Sequence, residues 1–268
     1  MNMLLLRKSM KNSVLILITT ILLFGITTSL WAAYTTQIPQ KMSTDHESHV
    51  PEPSSLILFV GGIFSMIISF LRKTYNIAKR VMDIMIATIA LIILLPLCIL
   101  IALLIKITSK GPIFYSQVRS GKDEKPFDIY KFRTMKVDAE KESGPVWAKQ
   151  KDNRITPIGK FLRKSRIDEI PQFINVLHGE MSVIGPRPER PIFIEKLKGQ
   201  ISDYPKRMAV KPGITGLAQV YHRYDESIAD VRKKVKYDML YIKKMSIGTD
   251  LRIVGRTMGV VVTGFGAN

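Results

Sequence analysis

One stretch decides how the polar half of the chain folds: residues 163–188, RKSRIDEIPQFINVLHGEMSVIGPRP. Apolar side chains in it recur at the i, i+3, i+4, i+7 spacing that marks one face of a helix. They are Ile170, Phe173, Ile174 and Leu177. Pro171 fits only the first turn of a helix, and Gly179 is well placed to end one. The stretch therefore predicts a short amphipathic helix with Asp168 and Glu169 at its N-terminus.

Two roles are open for the adjacent acids Asp168 and Glu169. The unpaired amides and the dipole of a helix N-terminus favour a bound phosphate, but acidic residues there also act as ordinary helix caps. Further along, Arg187 stands between Pro186 and Pro188. A guanidinium group can hold phosphate at two points, although an arginine is also a common solvated surface cation. The local sequence favours phosphate chemistry and leaves a structural role open.

The charge of the chain narrows the choice of partners. Its 268 residues include 40 Lys or Arg and 22 Asp or Glu, which gives a formal net charge of +18. This excess favours anionic partners such as lipid headgroups, nucleotide diphosphates or nucleic acid. We expect no nucleic-acid partner, because the sequence has neither a nucleic-acid-binding signature nor an aromatic base-stacking platform. Cys98 is the single cysteine, which excludes a disulfide framework and a thiolate metal cluster.

Residues 1–49 are expected to form an export segment followed by a polar connector. Three basic residues within the first eleven precede an apolar run at residues 13–33. This order is typical of a signal peptide or a signal anchor. Cleavage after Ala33 would place Trp31 where a small residue is preferred, so an uncleaved anchor remains an alternative.

Residues 50–73 form a second apolar segment. Val-Pro-Glu-Pro leads into an apolar run from Leu56 to Leu71, and Arg72 and Lys73 close it. The run is long enough to span a somewhat compressed bilayer. The order of Pro-Glu-Pro, apolar helix and basic stop resembles the PEP-CTERM sorting signal that exosortases recognise, which makes an exosortase an expected partner. A simple second transmembrane helix is the alternative.

Residues 74–106 contain the third apolar segment. The basic flanks of the first two segments place residues beyond 72 in the cytoplasm by the positive-inside rule. Pro96 lies near the middle of the third segment, where loss of a helical hydrogen bond and the ring clash cost about 3 kcal/mol. Basic residues flank both ends of this segment, so the positive-inside rule does not favour a helix that crosses the membrane. We predict a proline-broken, re-entrant membrane helix that returns to the cytoplasm, with a kinked full span as the alternative.

Residues 107–268 are expected to form one small α+β domain. The predicted elements are strands at 112–118 and 127–133, which pair as a hairpin, and helices at 228–245 and 249–262. Residues 136–156 are charged and show little periodicity, which indicates either a loop over the site or a solvated connector. The last helix is amphipathic and suits either a membrane interface or a core contact.

Five motifs occur in one order behind the proline-containing apolar segment. They are Lys131-Phe-Arg-Thr-Met135, Asp168-Glu169-x-Pro171-Gln172, Asn175-Val-Leu-x-Gly179-x-Met181-Ser182, Gly185-Pro-Arg-Pro188 and Pro212-Gly-x-Thr-Gly216. This set resembles the bacterial sugar transferase family, the monotopic phosphoglycosyl transferases that load a sugar phosphate onto polyprenyl phosphate. The resemblance covers residues 75–268 and leaves residues 1–74 outside it.

The resemblance implies a chemistry for these residues. A UDP-sugar is the implied donor, Asp168 attacks the phosphorus that bears the sugar, UMP leaves, and undecaprenyl phosphate then takes the phosphosugar from Asp168. Glu169 is implied to help Asp168 hold Mg²⁺ or to handle a proton, and carboxylates are the hard ligands that Mg²⁺ takes. The expected phosphate contacts are Lys131, Arg133, Arg163 and Arg187, and the expected further substrate or loop contacts are Gln172, Pro186, Pro188, Thr215 and Gln219.

These expectations describe an enzyme of the bacterial inner membrane that contacts membrane lipid and has its catalytic domain in the cytoplasm. It would initiate the synthesis of exopolysaccharide or of another surface glycan. The alternative from another functional class is an exported, exosortase-sorted membrane protein that binds anionic lipid or polysaccharide without catalysis.

Overall fold

The computed structural model describes residues 53–141, 144, 152–222 and 227–263. The chain divides into two compact units, Met1–Gly61 and Gly62–Asn268. In the first unit, the described residues from Pro53 onward are helical. The predicted signal segment at 1–49 and the Val-Pro-Glu sequence that follows it lie outside the described residues and stay predictions.

The first helix, α1, spans Pro53–Thr108. From Pro53 onward, the segments predicted separately at 50–73 and 74–106 are therefore parts of one continuous helix. Among the described residues, it is the one helix long and apolar enough to cross a membrane, with a mean hydropathy of 3.2 in its most apolar part. Pro96 lies inside α1, so the predicted break in the helix is not seen. Apolar surroundings favour internal backbone hydrogen bonds, so a proline there bends a helix more readily than it ends one.

The predicted hairpin is confirmed. Strands β1 (Phe114–Ser120) and β2 (Pro126–Phe132) pair in antiparallel register. A 3-10 turn at Lys122–Glu124 connects them. Phe127 and Ile129 are buried in the core. Because side chains alternate along a strand, Lys131 lies on the same face of β2 as these two core residues.

The predicted short amphipathic helix is also confirmed, with a different start. Helix α2 (Pro157–Lys164) is followed by a 3-10 turn at Ile167–Glu169 and then by α3 (Gln172–His178). Gly179 ends α3 with a positive φ of 85°. The two acids therefore lie in the separate 3-10 turn just before α3 and are not in the first turn of the α-helix.

The remaining elements complete a mixed α and β domain. They are β3 (Ser182–Ile184), α4 (Pro191–Lys198), a 3-10 helix at Tyr204–Ala209, β4 (Gly213–Thr215), α5 (Leu217–Tyr221), α6 (Ile228–Lys243) and α7 (Ile247–Thr263). Strands β3 and β4 form a parallel pair, which the sequence did not predict. The two helices predicted near the C-terminus correspond to α6 and α7.

Helix α1 contacts the globular part at two places, near Arg80 and near Ile105. The Arg80 guanidinium donates hydrogen bonds to the carbonyl oxygens of Val176 and Leu177 at the end of α3, at 2.5 and 2.8 Å. One core cluster joins the end of α1 to β2, α2 and the 3-10 turn, and its buried members are Ile101, Ile105, Phe132, Leu162 and Ile170. This packing holds the acidic turn close to the end of the apolar helix.

Candidate active site

A tight reversal of the chain presents the two acids. Arg166 follows α2 with φ 56° and ψ 15°, a left-handed backbone that non-glycine residues seldom adopt. The 3-10 turn begins at the next residue and carries Asp168 and Glu169. Ile170, which follows the turn, is buried in the cluster under α1. The apolar residue therefore anchors the turn, and the two neighbouring carboxylates are 7% and 8% exposed.

Glu169 is held by two cations from other parts of the chain. Lys131 Nζ lies 2.8 Å from Glu169 Oε1. Arg187 approaches the same carboxylate with both terminal nitrogens, at 2.6 Å from Oε1 and 3.4 Å from Oε2. Burial opposes the charged form of Glu169, but Arg187 and Lys131 outweigh it and hold the pKa of this carboxyl well below its usual range. Glu169 is therefore a fixed negative charge.

Asp168 has the opposite electrostatic state. Within the part of the chain that the structure describes, no hydrogen bond or ion pair joins its carboxylate to another residue. Burial, and then the charge of Glu169, raise the pKa of Asp168 from 3.8 to about 6. Lys131, Arg163 and Arg187 partly oppose this effect. Near pH 7, Asp168 is thus an ionised, poorly solvated carboxylate beside several cations, which is a reactive state for a nucleophile.

Arg163 lies near the acids, and its phosphate contact stays a prediction. Its Nε donates a hydrogen bond to Thr134 Oγ1 at 2.9 Å. Burial lowers the pKa of Arg163, whereas the nearby charge of Asp168 acts in the opposite direction. The structure therefore brings Lys131 and Arg187, from two separate motifs, and Arg163, from α2, close to the two carboxylates.

Arg133 is not part of this group. Its guanidinium donates to the carbonyl oxygen of Lys110 at 2.6 Å and to the carbonyl oxygen and hydroxyl of Ser109 at 3.0 and 2.7 Å. Helix ends leave such carbonyl groups without partners inside the helix. Arg133 is directed to the chain that leaves α1, where it holds the junction between the apolar helix and the domain, and its phosphate contact stays a prediction.

Among the other predicted loop residues, Thr215 and Gln219 bond to partners other than the acids, whereas Gln172 is buried with no partner for its amide nitrogen in the described part of the chain. Gln172 is only 2% exposed, and its Nε2 has no hydrogen-bond partner among the described residues. Thr215 Oγ1 lies 2.8 Å from Thr257 Oγ1, and Gln219 Nε2 donates to the carbonyl oxygen of Ile214 at 2.9 Å. The structure does not bring Thr215 or Gln219 into contact with the carboxylates.

The glycines of the Pro212-Gly-x-Thr-Gly216 motif serve packing. A Cβ atom on Gly213 would lie 2.0 Å from the amide nitrogen of Gly185, and one on Gly216 would lie 2.2 Å from the Gly185 carbonyl oxygen. Only glycine permits so close an approach of backbones. The Gly185-Pro-Arg-Pro188 motif begins at this crossing, so the glycines help to fix the loop that carries Arg187.

Comparison with known proteins identifies the family. A family model described as "Bacterial sugar transferase" matches residues 74–264. The chain belongs to the bacterial sugar transferase family. The matched range agrees with the resemblance found at residues 75–268. No part of the match falls on the first 73 residues, where the export and sorting segments were predicted.

Curated relatives of this bacterial sugar transferase carry related names. A protein of Aeromonas hydrophila named UDP-N-acetylgalactosamine-undecaprenyl-phosphate N-acetylgalactosaminephosphotransferase is 46% identical over 72% of the chain and 45% of its own length. Proteins named UDP-glucose:undecaprenyl-phosphate glucose-1-phosphate transferase are 43% identical in Klebsiella pneumoniae and 38% in Caulobacter vibrioides. Those matches cover 67% and 72% of the chain, and 39% and 72% of the relatives. The chain thus spans less than half the length of the first two relatives.

One residue of this transferase that the sequence analysis did not select also builds the site. Asn175 is fully buried in α3, and its Nδ2 donates to the carbonyl oxygen of Asp128 at 2.7 Å. Its Oδ1 accepts a hydrogen bond from the amide of Tyr130 at 3.1 Å. These bonds lock α3 to β2 and so bring Lys131 to Glu169. The signal was available, because Asn175 begins one of the five motifs.

The predicted Mg²⁺ site fits the residues in part. Among the described residues, no group of three or more His, Cys, Asp or Glu side chains could hold a metal ion. In the described part of the chain nothing bonds to the Asp168 carboxylate, whereas both oxygens of Glu169 face cations. Mg²⁺ usually takes one or two protein carboxylates together with water and substrate phosphate oxygens. Asp168 is therefore the residue that would hold a Mg²⁺ ion, and oxygens of water and substrate would have to supply its other ligands.

Proposed function

We propose that this bacterial sugar transferase transfers a sugar-1-phosphate from a UDP-sugar to undecaprenyl phosphate, and thereby initiates a surface glycan such as an exopolysaccharide. Family membership and the names of the relatives support this reaction class. The observation that carries it is the pair of adjacent buried acids: Glu169 is neutralised by Lys131 and Arg187, and the Asp168 carboxylate has no ion-pair partner among the described residues. Two acids that served only to cap a helix would not need such different electrostatic states.

In the first half of the reaction, an oxygen of Asp168 attacks the phosphorus that bears the sugar. The bond from this phosphorus to the oxygen bridging it to the UMP portion breaks, and UMP leaves with the bonding electron pair. The product on the enzyme is a mixed anhydride of the Asp168 carboxyl group and the sugar phosphate. Arg163 and Arg187 are suited to neutralise the diphosphate, because negative charge moves onto the departing phosphate at this step.

In the second half, a phosphate oxygen of undecaprenyl phosphate attacks the same phosphorus. The bond to Asp168 breaks, and the carboxylate is regenerated together with undecaprenyl diphosphate sugar. Glu169 keeps Lys131 and Arg187 oriented throughout, since its low pKa keeps it charged in both halves. Two successive displacements through one carboxylate predict ping-pong kinetics.

Mg²⁺ is part of the proposal as a required cofactor. When bound, it would neutralise diphosphate charge and orient the donor. Asp168 would supply the protein ligand. Glu169 would support the ion through charge, since its oxygens already accept hydrogen bonds from Lys131 and Arg187.

A re-entrant path for α1 is also proposed, with the domain on the cytoplasmic side of the inner membrane. Arg80, near the start of the C-terminal half, and Ile105, near its end, both contact the same globular part. A polar domain lies on one side of a bilayer, so a segment with both ends on that domain returns to its starting side. Pro96 lies between the two contacts, where a bend is needed.

The test is release of UMP from a panel of UDP-sugars by the purified protein with undecaprenyl phosphate. One donor should support UMP release and lipid-linked sugar formation, and Asp168→Asn should abolish both. Asp128→Asn is the matched control, because Asp128 is an exposed acid on β2 and should leave turnover intact. Normal exchange of labelled UMP into UDP-sugar by Asp168→Asn would overturn the assignment.

The membrane arrangement has its own test. A topology reporter fused after Asn268 should read out in the cytoplasm, where the donor is available. A reporter on the outer side would favour the exported, non-catalytic protein.

A further inference from the structure

The loop that presents Arg187 is tied down at four consecutive carbonyl groups. The hydrogen bonds run from Gly213 N to Pro186 O at 2.9 Å, from Arg207 Nη2 to Arg187 O at 3.0 Å, from Arg119 Nη1 to Pro188 O at 3.5 Å and from Ser120 N to Glu189 O at 2.9 Å. The bond to the carbonyl of Arg187 itself comes from a side chain on a distant segment. Arg207 is therefore the residue outside the site that acts most directly on Arg187.

Arg207 is held rigidly in its turn. It is 4% exposed, and its guanidinium contacts Asp238 Oδ2 through Nε at 3.0 Å and through Nη2 at 2.8 Å. Its Nη1 donates to the Tyr204 hydroxyl at 2.9 Å, and the guanidinium also lies over the Tyr204 ring. A planar guanidinium with partners on several edges has one orientation. The donor that reaches Arg187 O is fixed relative to α6, which carries Asp238.

Fixing this carbonyl orients the Arg187 side chain. The peptide that follows Arg187 leads into Pro188, whose ring restricts the backbone, so the hydrogen bond from Arg207 and the ring together leave the peptide plane little freedom. From this position the Arg187 guanidinium reaches Glu169 with both terminal nitrogens, while the side chain as a whole remains 32% exposed. The exposed part of the side chain is available to a donor phosphate.

We propose that Arg207, held by Asp238 and Tyr204, is a positioning residue that sets the Arg187 guanidinium between Glu169 and the donor diphosphate. The inference rests on the proposed function, since it concerns how the donor is gripped. Arg207 does not touch substrate in this scheme. It acts through the backbone of Arg187, and a displacement of about 1 Å at a reacting group is enough to slow catalysis up to a hundredfold.

The first test variant is Arg207→Lys. It keeps a positive charge beside Asp238, but a single ammonium group cannot hold Asp238, Tyr204 and the Arg187 carbonyl in one plane. We expect kcat/KM for the UDP-sugar to fall about tenfold or more. Lys206→Met is the matched control, because it removes a cation that is exposed on the same 3-10 helix, and it should leave kcat/KM unchanged.

A double-mutant cycle separates positioning from general packing. In an Arg187→Lys background the two-point grip is already lost, so Arg207→Lys should cost less than about threefold further. Full additivity of the two losses would overturn the proposal, because a residue that only supports the fold would act independently of Arg187. Unchanged kcat/KM in folded Arg207→Lys would overturn it as well.

Tyr204→Phe provides a second variant that keeps the buried ion pair and the ring. Loss of the hydroxyl frees one edge of Arg207, so we expect a smaller loss in kcat/KM that again disappears in the Arg187→Lys background. If both Arg207→Lys and Tyr204→Phe fail to fold, Arg207 is needed for folding and the proposal is contradicted. Failure of the proposed function would be distinct, since the unmodified protein would then release no UMP from any donor.

Discussion

Asp168→Asn should abolish turnover and, at the same time, make the metal-free protein more stable. The ionised Asp168 carboxylate is buried and has no hydrogen-bond partner in the described part of the chain. Replacing it with asparagine keeps the volume and removes the charge. A buried reactive charge lowers the free energy of unfolding, so a substitution that removes the charge raises it again.

The magnitude follows from the pKa of Asp168, about 6 instead of 3.8. Each tenfold change in an acid constant corresponds to about 1.4 kcal/mol, so the ionised form costs the fold on the order of 2 kcal/mol after allowance for its coupling to Glu169. Desolvation of the asparagine amide offsets part of the gain and leaves about 1 kcal/mol. The melting temperature should then rise by about 2 to 4 °C at pH 7.5.

The pH dependence has a defined sign. The pKa of Asp168 is raised in the folded state, so folding favours the protonated acid. Its contribution to the free energy of unfolding is complete below about pH 4 and is lost as pH rises through about 6. The stability difference between Asp168→Asn and the unmodified protein should therefore grow from about pH 4 to about pH 6 and stay constant above that. Thermal unfolding in detergent with EDTA measures it, since bound Mg²⁺ would stabilise the carboxylate.

Glu169→Gln is the matched comparison, because Glu169 has the same burial and the opposite pairing. Its loss removes the carboxylate that both Lys131 and Arg187 contact directly, and the expected destabilisation is about 2 kcal/mol. If Asp168→Asn lowers the melting temperature as Glu169→Gln does, Asp168 is a structural acid and the reasoning fails.

Two further predictions concern residues and cofactor around the site. Arg133→Met should lower the melting temperature, because two carbonyl groups after α1 lose their donors at about 1 kcal/mol each, and should leave the KM for UDP-sugar within about threefold. A large rise in KM at unchanged stability would restore the phosphate contact first expected. Removal of divalent cations with EDTA should stop UMP release, and added Mg²⁺ should restore it. Full activity in EDTA would exclude a required divalent ion.

The sequence predicted the local elements of the site well because their signals are local. The apolar spacing around Ile170 and the glycine at 179 predicted α3, and alternation predicted the hairpin. Pairings between distant segments had no such signal. The contact of Lys131 with Glu169 depends on Asn175, which joins the hairpin to α3, and the contact of Arg207 with Arg187 depends on a 3-10 helix that no periodicity predicted.

The sequence did not show the partners of three cations. Arg133 shares a motif with Lys131, and the motif gives no sign that its guanidinium turns to the carbonyl groups after α1. Lys79 and Arg80 are among the cations that flank the third apolar segment in the sequence. In the structure, Lys79 pairs with buried Asp250 and Arg80 binds the end of α3, so the domain uses both cations. Charge counting cannot distinguish a cation bound by protein from one at a headgroup.

The most direct test of the central claim is to trap the protein during turnover and locate the sugar phosphate on it. Incubation with a radiolabelled UDP-sugar in the absence of undecaprenyl phosphate, followed by rapid acid quenching and peptide mapping, should place the label on Asp168. Added undecaprenyl phosphate should discharge it. Label on another residue, or transfer to lipid with no labelled protein at any time, would contradict the account.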